Sequence, residues 1–184
     1  MRMITRTFRM SPEYDKILSE EAERHGLTVS ALLNQIIRQY VLAIRFTERT
    51  PSITMSYGAF SPLIELISTK DLVEVAEKTG AILPEEAIMQ RGQRLTFGNL
   101  DWFIREVYGT YGNWFNASEN LVSGKERIHL SHQLNRKWSI YLGSFMSSMF
   151  NTILKISPKI ETRDNSVTIY VPNQSPVSSR MLQK

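Results

Sequence analysis

The stretch "ITRTFRMSPEYDKILSEEAERHGLTVSALLNQIIRQYVLA", residues 4–43, decides the fold of the N-terminal part of this chain. Its first seven residues largely alternate apolar side chains with threonine or arginine, which is typical of a short β-strand with two different faces. Ser11 followed by Pro12 is a common helix start, and Gly26 is a common residue just beyond a helix end. The stretch therefore predicts a strand and two helices, the second ending before Pro51.

A single strand followed by two helices cannot bury its own apolar side chains, and about fifty residues make a small core. Two copies solve both problems, because their strands can pair antiparallel around a two-fold axis with the helices beneath. Phe8 and Met10 then face the helices, whereas Thr5, Thr7 and Arg9 face outward. Such a ribbon fits the major groove, where arginine reads guanine and threonine contacts base edges. We therefore predict a homodimer that binds double-stranded DNA.

Residues 3–46 resemble the ribbon-helix-helix family of dimeric DNA-binding proteins. The matching features are the alternating strand, the Ser-Pro helix start, the step from Ser11 to Gly26, and "GLTVSALLNQIIRQYV" as the second helix. The resemblance implies three groups of functional residues. The base-reading residues are Thr5, Thr7 and Arg9. The phosphate-binding residues are Arg2, Arg6, Thr28, Val29 and Ser30, the last three at a helix start whose free N–H groups bind anions. The dimer core consists of Phe8, Met10, Leu32, Ile36, Ile37 and Tyr40.

Arg6 departs from the family pattern, because it falls at an inward strand position that is usually apolar. It either reaches a backbone phosphate, pairs with an acid, or marks a register shifted by one residue. A shifted register would bury Thr7, and the apolar Phe8 and Met10 argue against it. An alternative for the whole unit is that it serves dimerisation only.

The composition is that of a globular, basic protein with a net charge of +4 and a pI of about 9.4. This charge favours a polyanionic partner without requiring one. The chain has no cysteine, so disulfides, thiolate nucleophiles and cysteine metal sites are excluded. No apolar run approaches the roughly 18 residues needed to span a bilayer, and the start lacks a secretory signal pattern. We expect a soluble, cytoplasmic, nucleoid-associated protein.

The sequence beyond residue 50 predicts a second domain that combines helices with β-hairpins. Apolar spacing and Gly or Pro boundaries predict helices at about 61–68, 69–79, 84–91, 97–111 and 136–155. Alternating segments predict hairpins at about 114–134 and 158–171. The predicted fold class is α+β, with a ribbon-helix-helix unit at 1–50 and a linker at 51–60. An α+β domain at 61–172 ends in hairpin–long helix–hairpin, and a flexible tail follows at 173–184.

No catalytic or cofactor motif occurs in the chain: there is no G-x-S-x-G, no phosphate-binding loop and no dinucleotide fingerprint. His129 and His132 are three residues apart on a predicted strand, so they point to opposite faces. A third metal ligand, such as His25, would have to come from the other domain. We therefore predict no enzyme activity, no cofactor and no metal site.

The many aromatic residues of the second domain allow three interpretations: a core, a pocket for a small-molecule effector, or an interface between dimers. They are Trp102, Phe103, Tyr108, Tyr111, Trp114, Phe115, Trp138, Tyr141, Phe145 and Phe150. The leading functional prediction is a sequence-specific DNA-binding transcriptional regulator, most simply a repressor, whose second domain serves assembly beyond the dimer or effector sensing. The alternative is an antitoxin or protein-binding adaptor that uses the N-terminal unit for dimerisation and autoregulation.

Overall fold

Two compact units make up the chain, Met1–Ser52 and Ile53–Lys184, here called unit 1 and unit 2. The structure is a computed structural model that describes residues 4–48, 53–122 and 125–172. Arg2 and the predicted tail at 173–184 lie outside these ranges. The predicted division at residue 50 differs from the observed boundary by two residues.

Unit 1 contains the two predicted helices. The first, α1, spans Pro12–Arg24, and the Ser11 hydroxyl accepts a hydrogen bond from the Tyr14 N–H at 3.3 Å. Gly26 then adopts a positive φ of 65°, a conformation that glycine reaches without steric cost. The second, α2, spans Val29–Gln39 and continues as a π-helix over Tyr40–Ile44 and a short helix, α3, over Arg45–Thr47.

The predicted N-terminal strand is not present, so the ribbon-helix-helix part of the fold-class prediction is wrong. Residues 4–10 have no regular secondary structure and are mostly exposed. A β-strand exists only when a neighbouring strand completes its hydrogen bonds. No segment in the described part of the chain pairs with residues 4–10, and the structure has no ribbon-helix-helix dimer unit.

Unit 2 begins with helices. They are α4 (Tyr57–Glu65), α5 (Thr69–Gln90) and α6 (Phe97–Trp102), which continues as a second π-helix (Phe103–Tyr111). The C-terminal part consists of β1 (Asn116–Val122), β2 (Lys125–Ser131), α7 (Arg136–Leu154), β3 (Lys159–Arg163) and β4 (Ser166–Tyr170). The predicted hairpin–long helix–hairpin arrangement is confirmed.

The four strands form one antiparallel sheet in the order β1-β2-β4-β3. Its register pairs Ile128 with Ile169 and Leu130 with Val167 across β2 and β4. All four side chains are fully buried. The two hairpins therefore join through β2 and β4, and their apolar faces form one floor of the core.

Helix α7 is the central element of unit 2, because it packs against β3 and β4 on one side and against α5 on another. Its buried residues are Trp138, Ser139, Leu142, Gly143, Phe145, Met146, Met149, Phe150 and Ile153. At Gly143 the helix passes so close to β3 that an added Cβ would lie 2.8 Å from the Thr162 methyl carbon. A helix that is apolar over so much of its circumference is a core helix.

The prediction of two separate helices over 69–91 is wrong, because a single helix, α5, spans Thr69–Gln90. Gly80 and Pro84, read as a stop and a start, both lie inside one 22-residue helix and are buried. Gly80 is required there for packing, since an added Cβ would collide with the backbone carbonyl of Phe145 on α7. The close approach to α7 explains the glycine, and tertiary packing offsets the helix-breaking tendency of proline.

Helix α4 also begins earlier than predicted, at Tyr57, so residues 57–60 are not a linker. The Ser56 hydroxyl caps it by accepting from the Ala59 N–H at 3.3 Å. At its other end, the Lys137 Nζ donates to the carbonyls of Glu65 and Ile67, both at 2.6 Å. This lysine satisfies two carbonyls at the helix end and ties α4 to the start of α7.

Candidate protein-interaction surface

A row of exposed apolar side chains follows one face of α2 and the π-helix after it. The row consists of Ile36, Ile37, Tyr40, Val41 and Ile44. Spacings of three and four residues place side chains on the same face of a helix. Ile37 is 56% exposed, although an isoleucine is among the residues most often found fully buried. This face lacks the covering that apolar helix faces normally have.

Unit 1 as a whole exposes more large apolar side chains than it buries. Its exposed set also includes Ile4, Phe8, Tyr14 and Ile17, whereas its buried apolar residues in the described part are Ala22, Leu32, Ala43 and Phe46. Large exposed apolar patches on soluble proteins often mark interaction sites. No single helix in the described ranges is long and apolar enough to cross a membrane. Helix α1 and residues 29–44 together have sufficient length and apolar composition, but the pair is bent by 96°.

Charge is unevenly distributed over unit 1. Residues 4–10 carry Arg6 and Arg9 and no acid, whereas α1 carries five acidic and two basic residues. Part of the α1 charge is paired within the helix, by Lys16 with Glu20 at 3.8 Å and Arg24 with Glu21 at 2.9 Å. The unit therefore presents a basic segment and an acidic helix, two features that attract each other between molecules.

The structure places the predicted site residues in two settings. Thr5, Thr7 and Arg9 are exposed on the segment 4–10. At the start of α2, the Thr28 hydroxyl accepts from the Ala31 N–H at 3.2 Å, and the Ser30 carbonyl accepts from the Asn34 side chain at 2.9 Å. No finding tests the predicted base-reading and phosphate-binding roles, which stay predictions.

The predicted dimer core is mostly uncovered in the single chain. Leu32 is buried and Met10 is half-buried, whereas Phe8, Ile36, Ile37 and Tyr40 are exposed. Exposure in one chain is what residues at a chain–chain interface require, although it does not test the prediction.

The two histidines of unit 2 take part in separate hydrogen bonds. His129 Nδ1 lies 3.0 Å from the Thr168 hydroxyl, and His132 Nε2 lies 2.8 Å from the Ser139 hydroxyl. Ser139 in turn donates to the Asp164 carbonyl at 3.3 Å. Within the described residues, no group of three or more His, Cys, Asp or Glu side chains is placed to hold a metal ion.

His132 and Ser139 form a buried polar pair where β2 leads into α7. Burial lowers the pKa of His132, because a charged imidazole would lose its hydration there. The pair therefore carries a neutral histidine. Its hydrogen bonds link the end of the β1–β2 hairpin to α7, so the pair has a structural role.

The aromatic residues of unit 2 form a core, as one of the three interpretations predicted. Trp138 stacks on Tyr141 with ring centres 5.0 Å apart, and Trp114 and Phe145 pack against them. Burial raises the pKa of Tyr141, although its hydrogen bond with the Thr79 hydroxyl, at 3.2 Å, acts in the opposite direction.

A groove of about 300 Å³ lies elsewhere, between α5, α7 and β3. It is lined by Glu77, Ile140, Gly143, Ser144, Ser147, Ile160 and Thr162.

A second exposed apolar row lies on α5 and was not predicted. It consists of Val75, Ile82 and Met89, each seven residues from the next. That spacing is visible in the sequence, and two helical turns separate its members. The row was obscured because α5 was predicted as two short helices, neither long enough to carry it.

Comparison with known proteins identifies no family. No family model matches the chain, and no curated protein matches it. Among solved structures, the chain is similar to trafficking protein particle complex subunit 3 from Naegleria fowleri, a structure with covalently bound palmitic acid. The match has 12% sequence identity and a TM-score of 0.41 and covers 86% of this chain and 97% of that one. At these values, neither fold nor function carries over to this chain.

The prediction of a DNA-binding transcriptional regulator is corrected by these findings. It depended on an intermolecular β-ribbon, and the structure has no strand at residues 4–10. The predicted major-groove contact, double-stranded DNA partner and nucleoid-associated location depended on the same ribbon and are corrected with it.

Proposed function

We propose that this chain is an assembly protein, in which unit 1 binds a second copy of the chain through the apolar face of α2 and the following π-helix. The observation that carries the proposal is the exposed row Ile36, Ile37, Tyr40, Val41 and Ile44, in a unit whose described residues include four buried apolar side chains. Complete burial of a fully exposed side chain of this kind is worth about 1.5–3 kcal/mol, and these five are 39–56% exposed in the single chain. Five of them on each copy supply a large driving force for association.

Charge supports a second copy as the partner in this contact. The basic segment at residues 4–10 and the acidic helix α1 occur in the same unit, so two copies provide each other with opposite charges. Segment 4–10 also carries the exposed Ile4 and Phe8, which a neighbouring apolar face would cover. An interface that uses the same surface on both molecules is the usual form of a homodimer.

The proposed role is binding, and it includes no reaction. The prediction that the chain is not an enzyme stays a prediction. The resemblance of residues 3–46 to the ribbon-helix-helix family likewise stays untested, and the proposed contact does not depend on DNA.

The test is the molar mass of the purified chain over a concentration series, measured by analytical ultracentrifugation. The wild-type chain is expected to self-associate. Ile37→Glu places a charge at the centre of the row on both copies, so we expect the dissociation constant to rise at least about 100-fold, which corresponds to about 3 kcal/mol. Gln35→Glu adds the same charge on the opposite side of α2 and should leave association unchanged.

A chain that is monomeric at every concentration would refute the proposal. Equal effects of Ile37→Glu and Gln35→Glu would refute the assigned face, because net charge and not the apolar row would then control association. Circular dichroism of both variants at low concentration shows that their helices still form.

A further inference from the structure

Helix α5 carries two apolar rows on opposite sides. One row faces α7 and is buried; its members are Leu72, Ala76, Gly80, Pro84 and Ile88. The other is the exposed row Val75, Ile82 and Met89. With about 100° per residue, Ile82 lies about 200° around the helix from Gly80. The second row therefore points away from the core of unit 2.

Exposed large apolar side chains are concentrated in one part of unit 2. Those that the structure describes lie between residues 53 and 89: Ile53, Met55, Leu63, Leu66, Ile67, Val75, Ile82, Leu83 and Met89. Among the side chains of β1–β4 and α7 whose burial is described, none is a large exposed apolar one. The row on α5 extends over 15 residues, from Val75 to Met89, and is about 21 Å long. This is enough length for two helices to pack side by side.

Charged residues beside the row define how a second helix can lie on it. Lys78 precedes Ile82 by about one turn, and Glu85 and Glu86 follow it by about one turn. None of these three side chains forms an ion pair with another residue in the described ranges. A parallel copy of α5 would place Lys78 beside Lys78 and the acids beside the acids. An antiparallel copy centred on Ile82 places each Lys78 beside the acidic pair of the other chain.

We propose that α5 forms an antiparallel pair with α5 of a second copy of the chain, centred on Ile82. Ile82 then contacts its own counterpart, and Val75 lies beside Met89 of the second copy. The lysine of each chain pairs with the acids of the other at both ends of the contact. This contact is separate from the one proposed for unit 1 and uses a different surface.

The absence of cysteine makes a direct test possible in the full-length chain. Ile82→Cys is expected to form a disulfide between two copies under mild oxidation, because the residue meets itself at the two-fold axis. Leu66→Cys is the control: Leu66 is 84% exposed against 47% for Ile82, so random collisions would link it faster. We expect Ile82→Cys to react at least about tenfold faster than the control, because the pair raises its effective concentration.

The antiparallel register is tested by mixing two single-cysteine chains. Val75→Cys and Met89→Cys are about 21 Å apart along the helix, so neither should link to itself in the antiparallel pair. A mixture of the two chains should form the mixed disulfide. Linking of each variant only to itself would overturn the antiparallel arrangement in favour of a parallel one.

Charge reversal supplies an independent measurement. Lys78→Glu makes the charges within about one turn of Ile82 wholly acidic, and Glu85→Lys with Glu86→Lys makes them wholly basic. Either charge variant alone should form the disulfide through Ile82→Cys more slowly. An equal mixture of the two variants should form it at least as fast as the Ile82→Cys chain with its native charges. Equal rates for all combinations would overturn the assigned salt bridges.

The experiments are repeated in chains that also carry Ile37→Glu, so that the two contacts are tested separately. Persistent linking through Ile82→Cys in that background supports the α5 pair whatever the result for unit 1. If Ile82→Cys links no faster than Leu66→Cys in either background, the α5 proposal is wrong, and the molar-mass experiment still decides the proposal for unit 1.

Discussion

Unit 1 and unit 2 differ in how completely they bury their apolar side chains. Unit 2 has a sheet, a central helix and a covering helix, and its core residues are almost completely inaccessible to solvent. In unit 1, by contrast, the apolar row on α2 and the following π-helix lies on the surface. Amphipathic sequence alone therefore does not produce a core; a helix also needs another element to cover its apolar face.

The difference has a thermodynamic consequence. Unit 2 has a core of its own, so its free energy of unfolding is expected not to depend on protein concentration. If a second copy covers unit 1, the stability of unit 1 rises with concentration by mass action. The three tryptophans, Trp102, Trp114 and Trp138, all lie in unit 2, so their fluorescence follows that unit, whereas circular dichroism follows both.

The largest effect is expected from truncating the core of unit 2. Phe145 is fully buried and packs against Trp114, Tyr108 and Tyr141. Phe145→Ala removes these contacts and leaves a cavity, so we expect a loss of about 3–5 kcal/mol in urea unfolding followed by tryptophan fluorescence. The loss should be the same at low and high protein concentration. A loss that changes with concentration would mean that unit 2, like unit 1, depends on a partner.

A smaller effect is expected at the contact between α5 and α7. Gly80→Ala places a methyl group against the backbone of Phe145, which cannot rotate away, so we expect a net loss of about 2 kcal/mol. Gly58→Ala is the matched control in α4, since an added Cβ there has no atom within 4 Å. The control should gain about 0.5–1 kcal/mol from helix propensity. Similar effects of both changes would contradict the close packing of α5 on α7.

The smallest effect concerns pH and the buried His132. Its pKa lies below the ordinary value of 6.5, so the unfolded chain binds the proton more readily than the folded chain. This contribution to stability is fully present above about pH 6.5 and is lost as the pH falls through that value towards the folded pKa. The slope cannot exceed about 1.4 kcal/mol per pH unit for one proton. The measurement is tryptophan-monitored unfolding between pH 8 and pH 5.

His132→Gln keeps a side chain that can bond to Ser139 but removes the titrating group, so its stability should depend less on pH over this range. His25→Gln, on unit 1, is the control and should leave the pH dependence of tryptophan-monitored unfolding unchanged. A wild-type slope that survives in His132→Gln would assign the pH dependence to other groups.

Local signals in the sequence predicted most secondary-structure elements correctly. Ser11 with Pro12, Thr28 and Gly26 delimit α1 and α2 as expected, because capping depends on a few neighbouring residues. The alternation and turn residues of both hairpins, and the broad apolar stripe of α7, were equally informative. The helix boundaries that were wrong are Gly80 and Pro84, which lie inside α5, and the start of α4, which is at Tyr57 and not at residue 61.

Function was harder to predict than structure. The alternating pattern at residues 4–10 suggested a DNA-reading ribbon, yet the same pattern also suits a segment that contacts a protein. The sequence pattern of one segment does not show whether that segment pairs as a strand, because pairing requires a second segment beside it. The exposed rows on α2 and α5 were recognisable as apolar positions, but only burial in the folded chain distinguishes a covered face from a free one.

By itself, the sequence determined the chemistry available to this protein: no cysteine chemistry, a mild positive charge, capped helices and two hairpins around a long apolar helix. Tertiary structure decided which of those apolar surfaces became core. The sheet and α5 cover α7, whereas no element in the described part of the chain covers Ile37 or Ile82. The physical reason is that periodicity is a local property of the chain, while burial depends on which distant elements pack together.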